Sequence, residues 1–569
     1  MKGGLVRWLG GWMRGKKAQA SAPAPAAPPV DAQTLQALDR AAVHYQVGEH
    51  DRAEAECMRA LESRPDLAGA HFYLGMIRRK RGEPDDAADH LLMAATFSPE
   101  FTEAWFQLGV LELGRRNFAD ARRYLDTVLR LEPRHVGAHA TYADVRERQK
   151  RFAAAIGHWK AVAEADPANA FAYCKLCRLT LRESQDGVVA MDYAARALAL
   201  QPRLAEAHSC HAQVLLFQGR VQEAIEACEV SLQLDPDASY TRMIRALALL
   251  SVGEFAAGWR DYEARKGVYP LYAVRKLPFA EWDGAPLAGR RLLIYQEQGL
   301  GDEIMFASCF PDALRSGADC VIECSPRLET LFARSFPAAR VISAMQNSPD
   351  VGHLDALPPC DFQVAAGSLP RFFRNSAADF AGRSAFLCAD AAAVVQWRER
   401  FRSVGPGLNI GIAWRGGVRQ TNQAGRSLPL AALLPLLAMP GCNFVSLQHG
   451  EQDEELALLQ AAHGVHIRRW PVTDASIDDT AAMVSALDLV VSVTTTVAHL
   501  AAALGCPTWV LVPYNPEWRY QTTGSRMPWY PDMRLFRRRA GADWDVTIRE
   551  VASAFECWRR DLGKASSAH

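Results

Sequence analysis

Three stretches of this 569-residue chain place glycines, hydroxyls and ionisable side chains at the ends of short apolar runs. In the first, Leu292 to Tyr295 leads into Glu297, Gln298, Gly299, Leu300, Gly301 and Asp302, then into an amphipathic stretch through Met305, Phe306 and Phe310. Gly299 and Gly301 permit close ligand approach, and a strand end opening into a helix N-terminus is where α/β folds bind ligands. Asp302 could take a proton from an acceptor hydroxyl there. It would serve equally as a helix cap accepting backbone amides, and these residues alone leave both roles open.

In the second stretch, Ile410 to Trp414 runs into Arg415, Gly416 and Gly417, and the loop continues to Arg426 and Ser427. Either arginine could reach a phosphate. In the third, Leu489 to Val493 ends in Thr494, Thr495 and Thr496, and a helix through Val497 and Ala498 carries His499 inward. Free amides and the positive end of a helix dipole favour a diphosphate, and threonine hydroxyls and His499 add donors. Such a set would stabilise the charge that develops on a departing nucleotide. His499 alone fits a satisfied buried histidine just as well.

Other chemistries find less to stand on. Asp235 with Asp237 and Asp543 with Asp545 have the spacing of manganese-binding aspartates, but the first pair belongs to a repeat turn and the second brackets Trp544 away from any strand end, so no metal is expected. Cys174 and Cys177 have half of a zinc spacing without a second pair, and core packing is the better reading. Neither a phosphate-binding Walker loop nor a GxSxG elbow occurs. Lys plus Arg equal Asp plus Glu at 64 each, which removes the electrostatic footprint of a nucleic-acid partner. Thirteen scattered cysteines fit reduced thiols and a cytoplasmic setting. No apolar run is long enough to span a bilayer. Residues 1–17 gather Leu5, Trp8, Leu9 and Trp12 with five positive charges, which would allow weak contact with the inner membrane face or form a basic tail.

The candidate residues need strands to hold them. Beyond about Arg265 the pattern changes to short apolar runs, and Leu292–Tyr295, Cys320–Glu323, Ile410–Trp414, Phe444–Leu447, Leu489–Val493 and Thr508–Val512 read as buried parallel strands between helices. Gly405, Pro406 and Gly407 divide this region, and two Rossmann-like domains facing a cleft are expected, at 266–404 and 405–569. Ahead of them, Pro65, Pro99, Pro133, Pro167, Pro202 and Pro236 recur at spacings of 34, 34, 34, 35 and 34 residues. Trp105, Leu108, Gly109, Ala121, Leu125 and Pro133 fall at the offsets of a tetratricopeptide repeat, so 31–265 reads as an α-solenoid of stacked helix pairs. Residues 1–30 form the basic segment and an Ala/Pro linker. A repeat superhelix offers a groove suited to an extended peptide or another protein.

WDGAPLAGRRLLIYQEQGLGDEIMFA (282–307), GIAWRGG with RSLPLAALLPLL (411–437) and DLVVSVTTTVAHLAAALGCPTWVLVPYNPEWRY (488–520) resemble bacterial proteins that join tetratricopeptide repeats to a GT-B glycosyltransferase domain related to heptosyltransferases. The resemblance spans about 258–540, and the architecture is similar to that of O-linked N-acetylglucosamine transferases. It implies inverting, metal-independent transfer from a nucleotide sugar, a substrate and not a cofactor, to a protein acceptor, with flagellin one candidate. Asp302 would be the general base on the glycine loop of Gly299 and Gly301. Arg415, Arg426, Ser427, Thr494, Thr495, Thr496 and His499 would form the donor site, with His499 also aiding departure of the nucleotide. Relatives carry aspartate where this chain has Thr494, a change that bears on donor choice or on activity itself. Glycan assembly on lipopolysaccharide or capsule, and a non-catalytic repeat scaffold, are the alternatives.

Overall fold

The computed structural model describes residues 30–268, 277–345, 352–354, 359–381, 385–417, 423, 425–470 and 476–566. Residues 1–17 and almost all of the Ala/Pro linker lie outside them. The chain forms two compact units, one through Arg151 and one from Phe152 onward.

In the first unit, helices Ala32–Gln46, His50–Ser63, Ala68–Lys80, Pro84–Phe97, Thr102–Gly114, Phe118–Leu131 and Val136–Arg148 follow one another. The repeat positions explain their packing. A Cβ on Gly75 would meet Leu91 at 2.7 Å and one on Gly109 would meet Leu125 at 2.9 Å, so only glycine lets the paired helices approach there. Ala87 and Ala121 on the facing helices are fully buried. Each proline turn is tied to the helix after it. The Pro99 carbonyl accepts from Trp105 Nε1 at 2.9 Å, and the Pro65 and Pro133 carbonyls pair with His71 and His139 Nε2 at 2.9 and 3.0 Å.

The second unit opens with helices of the same kind, Phe152–Ala165, Ala170–Glu183, Gly187–Leu200, Ala205–Phe217, Val221–Leu234, Ser239–Ser251 and the short Phe255–Tyr262. An α/β region follows. Strands β1 (Ala280–Glu281), β2 (Arg291–Tyr295), β3 (Asp319–Cys324), β4 (Arg340–Ser343) and β5 (Phe362–Ala365) form a parallel sheet in the order β1-β5-β2-β3-β4. Strands β6 (Leu408–Ala413), β7 (Cys442–Ser446), β8 (Ile467–Arg469), β9 (Leu489–Val493), β10 (Thr508–Val512), β11 (Arg526–Met527) and β12 (Tyr530–Arg537) form a second, in the order β11-β12-β10-β9-β6-β7-β8. Among the described residues, only the β11/β12 pair is antiparallel. β-Branched and aliphatic residues fill the central strands, and all five residues of β9 and of β10 are buried.

Two expected boundaries move. Residue 265 does not separate compact units, because Met243, Leu250, Phe255, Trp259 and Tyr262 share one core with Ile304, Phe306, Trp518 and Trp529. Trp259 packs edge-on against Trp518 and Trp529, with ring centroids 5.5 and 5.9 Å away, and its Nε1 donates to the Arg374 carbonyl at 2.8 Å. The second sheet's loops also cap repeat helices. Asn515 Nδ2 donates to the Leu216 carbonyl at 3.1 Å and to that of Phe217, and the Thr522 N–H donates to Ser251 at 2.9 Å. Helix Ala391–Val404, assigned above to the first domain, packs instead on the second sheet, where Trp397 and Phe401 join Ala413, Val445 and Leu487. Its apolar face, with Val445 and Leu447 opposite, decides the placement, whereas Gly405 (φ 136°) and Gly407 (φ 131°) only turn the chain into β6.

Candidate functional site

In an open parallel sheet, ligands bind beyond the C-terminal ends of the strands where the order reverses. The first sheet reverses between β2 and β5, the second between β6 and β9. The loops after β2, β6 and β9 meet around a cavity of about 820 Å³, lined by residues of both sheets' loops.

The first wall is the glycine loop. Gln298 adopts φ 66°, rare for a side-chain-bearing residue, and is held there by two contacts of its amide with the Tyr262 hydroxyl, at 3.0 and 3.1 Å. Behind it, the fully buried Arg265 donates to Glu297 at 2.6 and 2.9 Å, to Glu263 at 2.9 Å and to Ser368 Oγ at 2.8 Å. Glu297 also accepts the Gly367 N–H at 2.8 Å, tying the loop after β5 to the loop after β2. Asp302 then stands in the first turn of helix Leu300–Phe306. Its Oδ2 accepts the Gly299 N–H at 3.2 Å and its Oδ1 accepts from Arg519 Nη2 at 2.6 Å. Both readings of Asp302 are thus present in one side chain, which caps its helix and also lines the cavity. Burial raises its pKa, although Arg519 pulls the other way.

The second wall is the turn after β9. No side chain caps helix Thr496–Ala503, so its first amides are left for a ligand or solvent. Thr495 and Thr496 line the cavity, and a Cβ on Gly301 would lie 3.3 Å from Thr496 Oγ1, which shows how closely the two loops approach. Arg426 lines it as well, with its guanidinium committed to Thr494 Oγ1 at 2.9 Å, to the Thr494 carbonyl and to Glu517 at 2.8 Å. Arg415 donates to the Glu451 carbonyl at 2.6 Å and lies 3.5 Å from Glu455.

Three expectations for this wall need correction. Thr494 and Ser427 do not line the cavity. Thr494 is buried beneath Arg426, and Ser427 Oγ accepts the Gly416 N–H at 3.1 Å, so both brace the loops from behind. His499 reaches the cavity, yet Nδ1 lies 3.3 Å from the Tyr530 hydroxyl and Nε2 lies 3.3 Å from that of Tyr520. Burial drives its pKa well below the usual value, with Arg519 and Arg426 adding to the effect. Burial thus disfavours a charged ring, and both nitrogens already face tyrosyl hydroxyls and not the cavity's open space. Trp518 and Tyr520 belong to the core, while Tyr514 is half exposed.

Sequence reasoning passed over Glu517 and Arg519. Burial opposes the charge on Arg519, and Asp302 and Glu517 more than offset it. Its Nη1 meets Glu517 at 2.9 Å, so Asp302, Arg519, Glu517 and Arg426 form one chain of ion pairs linking the two walls. Two charges inside the aromatic run PEWRY, just beyond a central strand's C-terminal end, were the available signal. Among the described residues no three His, Cys, Asp or Glu side chains gather as a metal would require, and no helix is long and apolar enough to cross a membrane. Asp235 Oδ1 accepts the Asp237 N–H within its turn, and Cys174 and Cys177 are buried beside Cys210.

Comparison with known proteins bears on the helical half. The tetratricopeptide-repeat family matches residues 38–100, 106–170 and 182–239. The helical half is a tetratricopeptide-repeat array. The chain is 32% identical over 375 residues to Protein FlbA of Caulobacter vibrioides, covering 63% of this chain and 62% of that protein, so it spans less than two thirds of the relative's length. Among solved structures, PilF of Pseudomonas aeruginosa is 16% identical, with 38% of this chain and 97% of that chain covered at a TM-score of 0.34. YrrB, described as a tetratricopeptide-repeat protein with an unusual peptide-binding site, is 21% identical over 31% of this chain and 89% of its own, at 0.28.

Proposed function

We propose that this protein is an inverting, metal-independent GT-B glycosyltransferase that moves a sugar from a nucleotide sugar to a protein acceptor held by the tetratricopeptide repeats, and that it works in the cytoplasm. One observation carries the reading. A single cavity has a carboxylate of raised pKa on one wall and uncapped helix amides with threonine hydroxyls on the other. Asp302 takes the proton of the acceptor hydroxyl as its oxygen attacks the anomeric carbon, and the bond to the diphosphate breaks with its electron pair leaving on the nucleotide. The amides at Thr496 and Val497 and the hydroxyls of Thr495 and Thr496 meet that charge. Arg519 orients Asp302 and favours its ionised, basic form. The Thr494 hydroxyl and Glu517 together satisfy Arg426, so the turn keeps its brace without a carboxylate of its own.

Titration of the purified chain with uridine, guanosine, cytidine and thymidine diphosphates tests this reading. Saturable binding of one of them with a thermal shift is expected, and the absence of both for all four rejects the transferase in favour of a scaffold.

A further inference from the structure

Four arginines line the cavity, and three are committed. Arg415 is held by the Glu451 carbonyl and Glu455, Arg426 by Thr494 and Glu517, and Arg519 by Asp302 and Glu517. Arg327 is the exception. It is exposed, lines the cavity, and has no hydrogen bond or ion pair among the described residues.

Its position is fixed even though its side chain is unengaged. Arg327 lies in the turn that follows β3, the strand beside β2. The Leu328 N–H closes that turn on the Ser325 carbonyl at 2.8 Å, Leu328 is fully buried, and Glu303 Oε2 accepts the Ser325 N–H at 2.9 Å. Helix Glu329–Ser335 begins immediately afterwards, and its Arg334 bonds Asp478 through two 2.7 Å contacts. Asp478 lies in the first turn of helix Ile477–Ser485, whose Ile477 and Thr480 line the same cavity. An uncommitted cation on a rigid turn thus stands where the two sheets' loops are bridged, in a cavity whose opposite wall offers amides and hydroxyls.

We propose that Arg327 binds the diphosphate of the donor from the first-sheet side, so that the phosphates are ligated by both walls. The inference rests on the glycosyltransferase reading and adds a binding residue to it. A diphosphate carries about two negative charges that the committed arginines have no spare charge to meet, and a guanidinium pairs with phosphate oxygens in a bidentate fork.

The test measures binding of inorganic pyrophosphate and of the four nucleoside diphosphates by the full chain and by its Arg327→Ala and Arg327→Lys variants. Because the side chain is exposed, both variants should keep the wild-type thermal midpoint. The expected result is roughly tenfold or greater weakening in Arg327→Ala, with partial recovery in Arg327→Lys. Unchanged nucleotide affinity in Arg327→Ala overturns the role of Arg327 and leaves the transferase reading standing. Arg327-dependent binding of pyrophosphate with none of any nucleotide overturns the transferase reading and keeps Arg327 as an anion ligand. Binding of neither probe by the wild type overturns both.

Discussion

The loops that meet across the cavity share one plan, a buried strand, a tight turn and a short helix, and they are braced in opposite ways. The turn after β9 is supported from within its own sheet's loops, by Arg426 and, through it, Glu517. The glycine loop after β2 is supported by the end of the repeat array, through Tyr262 on Gln298 and Arg265 on Glu297. The turn after β9 thus takes its brace from its own sheet's loops, and Glu517 passes it on to Asp302 through Arg519. The glycine loop that carries Asp302 depends on residues at the end of the repeat array.

The largest expected effect separates the chemistry of the walls. Asp302→Asn keeps the cap shape and removes the base, and transfer should fall by about 10²–10⁴-fold while nucleoside diphosphate affinity is retained. Transfer at the wild-type rate would place the base elsewhere. Next, Arg265→Met leaves the partly buried Glu297 without its cation, while Glu263 keeps Lys266 at 3.2 Å, and the loss of this buried guanidinium should cost about 3–5 kcal/mol of stability. Adding Glu297→Gln should restore part of that loss. A thermal midpoint unchanged by Arg265→Met would show that the first wall does not need its brace.

A smaller effect follows pH. Glu303 is buried beside the glycine loop, and burial pushes its carboxyl from 4.5 up to about 7. The folded state therefore holds this proton more tightly than the unfolded one. The associated stability is complete below pH 4.5, declines as pH rises, and is lost above about 7, a difference of about 3 kcal/mol. Glu303→Gln, which cannot ionise, should gain thermal midpoint over the wild type between pH 5 and 8. A constant difference across that range contradicts the assignment.

Much of this was legible in the residues because the signals were local. β9 and β10 are continuous apolar runs and span the expected residues. The repeat was visible in its proline period, and Gly75 opposite Leu91 shows why the glycine offset exists. What escaped was long-range or disguised. β12 contains Pro531 and Asp532 and lies next to the edge strand, so it lacks the apolar signature of a central strand. Arg519 meets Asp302 across 217 residues of sequence, a pairing that no spacing rule reports. His499 had the right residue type in the right turn, but only the two tyrosyl hydroxyls show that its nitrogens are already occupied.

The bonds from Asn515 and Thr522 to the ends of helices Ala205–Phe217 and Ser239–Ser251 clamp the final repeats to the α/β core. Under the proposed transfer to a repeat-held acceptor, a joint of that kind would work as a ruler. A polypeptide seated on those repeats would present its reacting side chain at a set number of residues from the docked segment, so lengthening or shortening the spacer should relocate modification instead of abolishing it.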